Sequence, residues 1–361
     1  MPAKPTLVVS AVNLVEGGTL SVLRDCLHAA VAVLAPHWQV VALVHDPALC
    51  AVDGVTYLVF PDVKRSWLRR LWFEYWQSSR LSRQLRPQLW LALHDLSPRV
   101  SAATQAVYCH NPMPFYRVPF DEARLAPKLL LFSWFYGLLY RINIRRNQAV
   151  IVQQEWLRRE FKKRYNVQRV IVARPERAAG APRKRSGRLF IYPALARPFK
   201  NFEVIGDALT HLEQDPSWNA EVRITVSGRE NAYARRLLRR YGHLRSLKFI
   251  GLQSHDAMDS LYREADCLLF PSRLETWGLP LSEAKAHGLC ILAADLLYAH
   301  ETVGDYGAAA FFDPGDPVAL AQRMLSFLRG ELSFDQQQWI EPAAPYARDW
   351  PTLLRMLTTT P

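Results

Sequence analysis

The sequence predicts an α/β protein of two units, each a parallel sheet covered by helices on both faces. Three observations lead there. Short, fully apolar, β-branched runs recur at helix-length intervals, as strands buried on both faces require. The series breaks once, at 175–188, in a stretch marked by Pro175, Gly180, Pro182 and Gly187 that reads as a linker. The 361 residues, 50% of them hydrophobic, supply two cores of ordinary size and exclude disordered and fibrous architectures.

Taken in order, the first series of strands falls at 6–11, 38–45, 55–60, 88–93, 106–110, 149–153 and 169–173. The second falls at 189–193, 221–227, 247–251, 267–271, 290–293 and 309–312, and a helix N-capped by Asp316 then runs to about Leu328. The tail carries Trp339, Pro342, Pro345, Tyr346 and Trp350 and ends in an amphipathic stretch at 350–357. So much large apolar surface is expected to fold back on the body, and we assign it to the first unit. The expected domains are therefore 1–174, a linker 175–188, 189–334, and a returning tail 335–361.

Five scattered cysteines, Cys26, Cys50, Cys109, Cys267 and Cys290, show no metal-ligand spacing, which predicts reduced thiols and no metal site. No charged, apolar leader opens the sequence, and no apolar run reaches the roughly 18 to 20 residues of a membrane span. The expectation is a protein neither secreted nor integral to the membrane. Net charge is +12, and all of it lies in residues 1–174, which hold 23 basic and 11 acidic side chains against 22 and 22 in the remainder. A charge confined to one half points to an anionic partner, either nucleic acid or a lipid surface.

Residues 64–86 supply half of that charge, with Arg69 and Arg70 among seven basic side chains and Glu74 as the lone acid. Trp67, Trp72 and Trp76 recur at helical spacing among them, the pattern of an interfacial membrane helix or of an amphipathic helix facing a core. The run 129–142, flanked by Lys128, Arg141, Arg145 and Arg146, is too short to span and suits either a headgroup layer or the interior.

The chemistry concentrates in Ser272-Arg-Leu-Glu-Thr-Trp-Gly-Leu-Pro-Leu-Ser-Glu-Ala-Lys-Ala-His-Gly288, directly after an apolar strand. With Pro280 as first helical residue, Gly278 and Leu279 lie at a helix entrance, where unpaired N–H groups and the dipole attract an anion such as phosphate. Glu283 is placed in the first turn and Glu275 on the loop opposite. Carboxylates beside a phosphate accept hydrogen bonds from hydroxyls, which points to a ribose and a sugar. Two readings compete on spacing alone: a loop acid plus a capping acid, and a glycosidase carboxylate pair.

The form E-x-W-G-L-P-x-x-E-A-x-A-x-G resembles the signature of glycosyltransferase family four. The resemblance extends to Gly17-Gly18 after the first strand, to His110 in Tyr108-Cys-His-Asn-Pro112, and to Tyr298, Glu301, Gly304-Asp305 and Phe312-Asp-Pro314. It implies the GT-B fold, two Rossmann-like domains facing a cleft, with a nucleotide sugar on the second and an acceptor on the first. It also implies retention of anomeric configuration and no metal cofactor, the leaving diphosphate helping to deprotonate the acceptor hydroxyl.

Carried over by position, Glu275 contacts donor-sugar hydroxyls, Glu283 the ribose, and the amides at Trp277, Gly278 and Leu279 sugar or phosphate oxygens. Lys200 matches the family's diphosphate lysine. The family's arginine place falls on Ala194, so Arg197 is the candidate replacement, with Arg229 in Gly228-Arg229-Glu230 a further one. Gly17 and Gly18 correspond to a loop closing on donor and acceptor, and His110 to a histidine near the donor sugar. His94 and Asp95, ending the preceding strand, are acceptor-side candidates.

The expected activity is transfer of a hexose from a GDP- or UDP-sugar to a lipid-linked glycan, as in lipopolysaccharide, O-antigen or exopolysaccharide synthesis. The basic half, with Arg69, Arg70, Trp72 and Trp76 toward the lipid, would hold the protein at the inner face of a bacterial membrane. A nucleotide-sugar epimerase or phosphorylase of the same fold, and a non-catalytic nucleic-acid binder, are the alternatives. No pyridoxal lysine motif supports a phosphorylase, and no recognition motif supports nucleic acid.

Overall fold

The computed structural model describes residues 4–116, 118–119, 127–175, 179–183, 187–335 and 341–359. Trp339 and the linker positions 176–178 and 184–186 lie outside the described residues, as do the side chains of Lys128 and Leu129. The chain divides into two compact units: the described parts of 1–116, 131–176 and 342–361, and those of 117–130 and 177–341.

The first unit begins with β1 (Thr6–Ser10), α1 (Gly17–Leu34), β2 (Gln39–Val44) and β3 (Val55–Val59). Next come α2 (Trp67–Trp72), one π-helical turn (Phe73–Gln77), α3 (Ser78–Leu85), β4 (Leu89–Ala92) and β5 (Thr104–Tyr108). The series ends with α4 (Pro127–Arg141), which belongs to this unit from Leu131 on, β6 (Ala149–Val152), α5 (Glu155–Tyr165) and β7 (Val170–Ala173). Successive strand residues face opposite layers. Leu7 and Val9 therefore pack with Leu23 and Leu27 of α1, while Val8 packs with Phe73, Tyr140 and Phe161.

The second unit contains β8 (Leu189–Tyr192), α6 (Phe202–Leu212), β9 (Glu221–Ile224), α7 (Ala232–Tyr241), β10 (Leu247–Phe249) and α8 (His255–Glu264). It continues with β11 (Cys267–Phe270), α9 (Leu279–Ala286), β12 (Cys290–Ala294), α10 (Leu297–Val303), β13 (Ala309–Phe312) and α11 (Pro317–Leu328). Asp316 caps α11 as its sequence predicts, its Oδ1 accepting from Val318 N and Ala319 N at 2.9 and 3.0 Å. All thirteen apolar runs form strands.

The tail adds β14 (Tyr346–Ala347) and α12 (Trp350–Thr358) to the first unit. Tyr346 and Ala347 pair parallel with Val172 and Ala173. Buried Arg158 on α5 donates to Ala343 O at 2.6 Å and Pro345 O at 2.7 Å, satisfying carbonyls next to the added strand. Leu353, Leu354 and Leu357 of α12 join the α1 cluster.

Both sheets are parallel throughout, ordered β14-β7-β6-β5-β4-β1-β2-β3 and β10-β9-β8-β11-β12-β13. In each, chain order runs outward in opposite directions from one central pair, β1 with β4 and β8 with β11. The loops leaving such a pair diverge to opposite sides and open a crevice at the strands' carboxyl ends, where α/β sheets bind ligands.

The expectation about apolar runs needs one correction. The 18-residue α1, of mean hydropathy 1.2, is by length and composition long and apolar enough to cross a membrane. In the first unit it covers the sheet instead, with Val22, Leu23, Cys26, Leu27, Ala30 and Leu34 buried.

Candidate active site

The candidate residues fall into two groups, one in each unit, and each is described by itself. In the second unit, Lys200 ends the loop that leaves β8, and Glu275 lies on the loop that leaves the neighbouring β11. Lys200 Nζ is ion-paired with Glu275 Oε1, and the two side chains are only 17% and 14% exposed. The ammonium also lies 5.7 and 6.0 Å from the ring centres of Phe199 and Phe270.

The main chain fixes both loops. Buried Tyr192 donates its hydroxyl to Lys200 O at 2.7 Å, and Arg273 N donates to Phe199 O at 2.7 Å. Asn201, at φ +56°, sends its side-chain amide to Pro271 O and Pro314 O. Burial, with the Glu275 charge nearby, pushes the hydroxyls of Tyr192 and Tyr298 well above the usual tyrosine range, so both are neutral donors. Tyr298 uses its hydroxyl on Ser272 O at 2.5 Å.

Gly278 is the N-cap of α9, at φ +79° and ψ +65°, and a Cβ there would stand 3.1 Å from Phe270 Cε1 and 3.2 Å from Leu281 Cδ1. Glycine is required on both counts. Leu279 opens the helix, so Pro280 is its second residue, not its first. Glu283 is consequently the fifth residue and lies outside the first turn, a correction to its expected place. Its Oε2 accepts from the Tyr262 hydroxyl at 2.7 Å, and that phenol orients it. The Trp277 indole is buried, its N–H donating to Ser282 Oγ at 2.8 Å, and its carbonyl accepts from Thr302. Its side chain holds the loop.

Arg197 is exposed and has no side-chain partner among the described residues, so it is free to meet an anion. Arg229 is also exposed, but its loop is internally occupied. Glu230 accepts from Ser227 N and Gly228 N at 2.5 and 3.1 Å. Burial pulls the Glu230 carboxyl up, and these hydrogen bonds outweigh it and hold the group below the usual carboxylate range. The amides of this loop already hold an anion, the Glu230 carboxylate.

In the first unit, Gly17 adopts φ +63° and leads α1, with open space where a Cβ would stand. Gly18 follows, half-buried. His94, two residues beyond β4, is buried, with Nε2 3.0 Å from Ser10 Oγ on β1 and Nδ1 3.0 Å from Glu74 Oε1 on the π-helical turn. Asp95, at φ +73°, accepts through Oδ1 from His110 N (2.6 Å), Asn111 N (3.0 Å) and Tyr140 OH (3.1 Å), and through Oδ2 from Tyr136 OH (3.1 Å). As acceptor-side contacts both are corrected: His94 is enclosed, and both Asp95 oxygens are engaged in shaping the His110 loop.

His110 stacks on Tyr108 with centres 4.5 Å apart, and its Nε2 is buried without a hydrogen-bond partner. Burial lowers its pKa despite the opposing pull of Asp95, so the ring is neutral. An unsatisfied buried nitrogen beside a crevice is a vacancy for a polar ligand.

Arg70 is also corrected. Its guanidinium turns inward, donating to His94 O at 2.7 Å and lying 5.0 Å from the Trp67 ring centre, and is withdrawn from any lipid. Arg69 is half-exposed, 3.4 Å from Asp62. Trp72 and Trp76 stack on each other at 5.3 Å and are 58% and 62% exposed.

Sequence reasoning missed Glu74, Ser10, Tyr136, Tyr140 and Tyr262. One signal was available, a lone acid between Phe73 and Tyr75 in a basic helix. Such a carboxylate on an apolar face needs a buried partner. The others act across 20 or more residues and leave no local mark.

Residues 174–344 match the family model described as Glycosyl transferases group 1. O-antigen chain mannosyltransferase B of Escherichia coli is 29% identical over 85 residues, 24% of this chain and 22% of that protein. The curated relatives are matched over 22% to 35% of their own length. Among solved structures, the lipopolysaccharide outer core galactosyltransferase WaaB superposes with a TM-score of 0.62 at 14% identity, over 92% of each chain. Anabaena HepE in complex with UDP-glucose gives 0.58 at 14% identity, over 90% of each chain. These likenesses are of fold, and the fold is the GT-B type with two parallel-sheet α/β domains. The likeness to the group 1 glycosyltransferase model is confined to residues 174–344, just under half of the chain, and the fold likeness extends over both units.

Proposed function

We propose that the protein is a retaining glycosyltransferase of the family-four type that moves a hexose from a GDP- or UDP-sugar to a lipid-linked glycan of bacterial surface-polysaccharide synthesis. The observation that carries this reading is the Lys200–Glu275 pair, held by two loops at the carboxyl ends of the central strands of the second sheet. A cation and a carboxylate in one crevice match the two ends of a sugar diphosphate. The diphosphate takes the ammonium and the amides at Gly278 and Leu279, and the sugar hydroxyls take Glu275. Arg197 is available as a second cation, and Glu283, held by Tyr262, as the ribose acceptor.

As the bond from the anomeric carbon to the diphosphate oxygen breaks, negative charge grows on the leaving group. Fixed N–H groups and Lys200 lower the barrier because they need no reorganisation at that moment. The acceptor hydroxyl attacks from the same face, its proton passes to the departing diphosphate oxygen, and configuration is retained. His110, neutral and with Nε2 unsatisfied, is assigned to a donor-sugar hydroxyl. No metal is assigned to this chemistry, in which Lys200 and the amides carry the charge. The relatives' printed names, O-antigen chain mannosyltransferase and HepE with UDP-glucose, support a nucleoside diphosphate donor and a surface-glycan acceptor.

The lipid end of the acceptor is assigned to an anionic membrane, the inner face of the bacterial envelope, with the first unit docking. Leu68 is 80% exposed beside Trp72 and Trp76, and isolated solubility gives no reason for so much apolar surface on a basic helix. The test is to incubate the protein with GDP- and UDP-hexoses and membrane extract, with EDTA present. Release of nucleoside diphosphate and a glycoside with the donor's anomeric configuration is expected. An inverted product, or turnover only with added divalent metal, would contradict the mechanism.

A further inference from the structure

A second site of distinct chemistry lies in the first unit. A surface cavity of about 320 Å³ is lined by Arg141, Arg145, Arg146 and Arg164 together with Asn143, Ile144 and Tyr165. Four arginines line it, and among the described residues the acid paired with one of them is Glu160, 2.6 Å from Arg164. Two of the four are set in place by main chain. Arg145 Nε donates to Tyr165 O at 3.2 Å, and Arg164 Nη1 donates to Pro114 O at 2.7 Å with its guanidinium 5.1 Å from the Phe115 ring centre. Arg141 and Arg146 are exposed and have no side-chain partner among the described residues. Like charges lining one cavity repel one another, and an anion there would be attracted by all of them.

What leads into the cavity identifies the anion's carrier. Leu131, Trp134 and Leu138 recur at helical spacing along α4 and are 66%, 67% and 40% exposed, and Ile142, 42% exposed, directly follows the cavity residue Arg141. The ladder is anchored from behind, where Phe132, Phe135 and Tyr136 of α4 pack around Trp67 with ring centres 5.6 to 6.4 Å apart. An apolar ladder ending in an arginine cluster matches the acyl-to-headgroup order of a lipid leaflet.

We propose that Arg141, Arg145, Arg146 and Arg164 bind the phosphate of an anionic membrane lipid, with the exposed row of α4 lying in the leaflet beside it. This rests on the membrane reading given above and deepens it, assigning recognition to a particular cavity and helix. Each arginine near an anionic surface strengthens binding by a factor of about five, so losing two weakens it roughly 30-fold.

The test is sedimentation of the full chain with vesicles of phosphatidylcholine, with and without phosphatidylglycerol, at low salt. Wild type is compared with the double variant Arg141→Gln, Arg146→Gln, whose unchanged melting temperature shows that it folds. The double variant Arg235→Gln, Arg239→Gln removes the same charge from α7 of the other unit. The expected result is wild-type binding only to the anionic vesicles, roughly 30-fold weaker binding in the cavity variant, and less than a twofold change in the control. Equal loss in both variants shows charge without a site and overturns the proposal. Wild-type binding that the cavity variant retains overturns the cavity but keeps the membrane reading. No wild-type binding removes both, and saturable binding of glycerol 3-phosphate without vesicle binding shows a site for soluble phosphate instead.

Discussion

The Lys200–Glu275 pair yields a prediction that separates holding the site together from doing its chemistry. Lys200→Met keeps the methylene stem over Phe199 and Phe270 and removes only the charge. Breaking a fully buried pair from one side costs about 3–5 kcal/mol, and an exposed pair contributes up to about 1 kcal/mol. With 17% and 14% of the two side chains exposed, this pair lies between those limits. Each single variant, Lys200→Met or Glu275→Gln, is expected to lose about 1–3 kcal/mol of stability in urea unfolding. In the double variant no charge is left unpaired, so its loss should fall short of the sum by about 1–2 kcal/mol. Transfer behaves differently, because the developing diphosphate charge still lacks its cation. All three variants are expected to lose roughly 100-fold or more in kcat/KM. Stability losses that add to within about 0.5 kcal/mol would refute the coupling. Restored turnover in the double variant would refute the assignment of Lys200 to the leaving group.

Three further predictions follow from the geometry. Burial disfavours the charged form of His110, so the unfolded chain binds more protons than the folded one below the ordinary histidine pKa of about 6.5, and stability is lost as pH falls from there. His110→Asn should flatten that slope by up to about 1.4 kcal/mol per pH unit, measured as urea stability at several pH values; an unchanged slope would remove the histidine from the account. Gly278→Ala places a side chain at φ +79° against Phe270, which should cost about 1–3 kcal/mol and weaken nucleotide binding. Calorimetric titration of a nucleoside diphosphate checks it, and wild-type affinity would contradict the role given to the α9 entrance. Arg158→Ala leaves the Ala343 carbonyl without its side-chain donor and the Pro345 carbonyl with Val172 N alone, and should destabilise the first unit by about 1–3 kcal/mol, seen as earlier protease cleavage of the tail; unchanged cleavage would show that β14 is held by other contacts.

Periodicity made most of the fold legible. Thirteen apolar runs were long enough to mark buried strands, and the doubling of the series marked two sheets. The strand β14 was not legible, because two residues carry no pattern and Tyr346-Ala347 become a strand only through pairing with Val172 and Ala173. The crevice of the second sheet showed in sequence because Glu275, Trp277, Gly278 and Glu283 lie in one short segment. Its ion pair did not, since Lys200 and Glu275 are 75 residues apart and meet only because β8 and β11 are neighbours. Glu283 was misplaced by a local cause, the helix opening one residue earlier, at Leu279. Arg70 was misread because charge pattern alone does not tell a guanidinium facing water from one turned inward onto the His94 carbonyl.

The central claim is a metal-independent nucleotide-sugar site built around Lys200. Its most direct test is thermal unfolding of wild type and Lys200→Met with GDP, UDP, dTDP and CMP, in EDTA. Binding to the native state alone at about 100 times Kd adds roughly 2.7 kcal/mol, which raises the melting temperature measurably. The account predicts that one nucleoside diphosphate stabilises wild type despite EDTA and that Lys200→Met largely loses the shift. Stabilisation that disappears with EDTA, or that Lys200→Met retains in full, would contradict it.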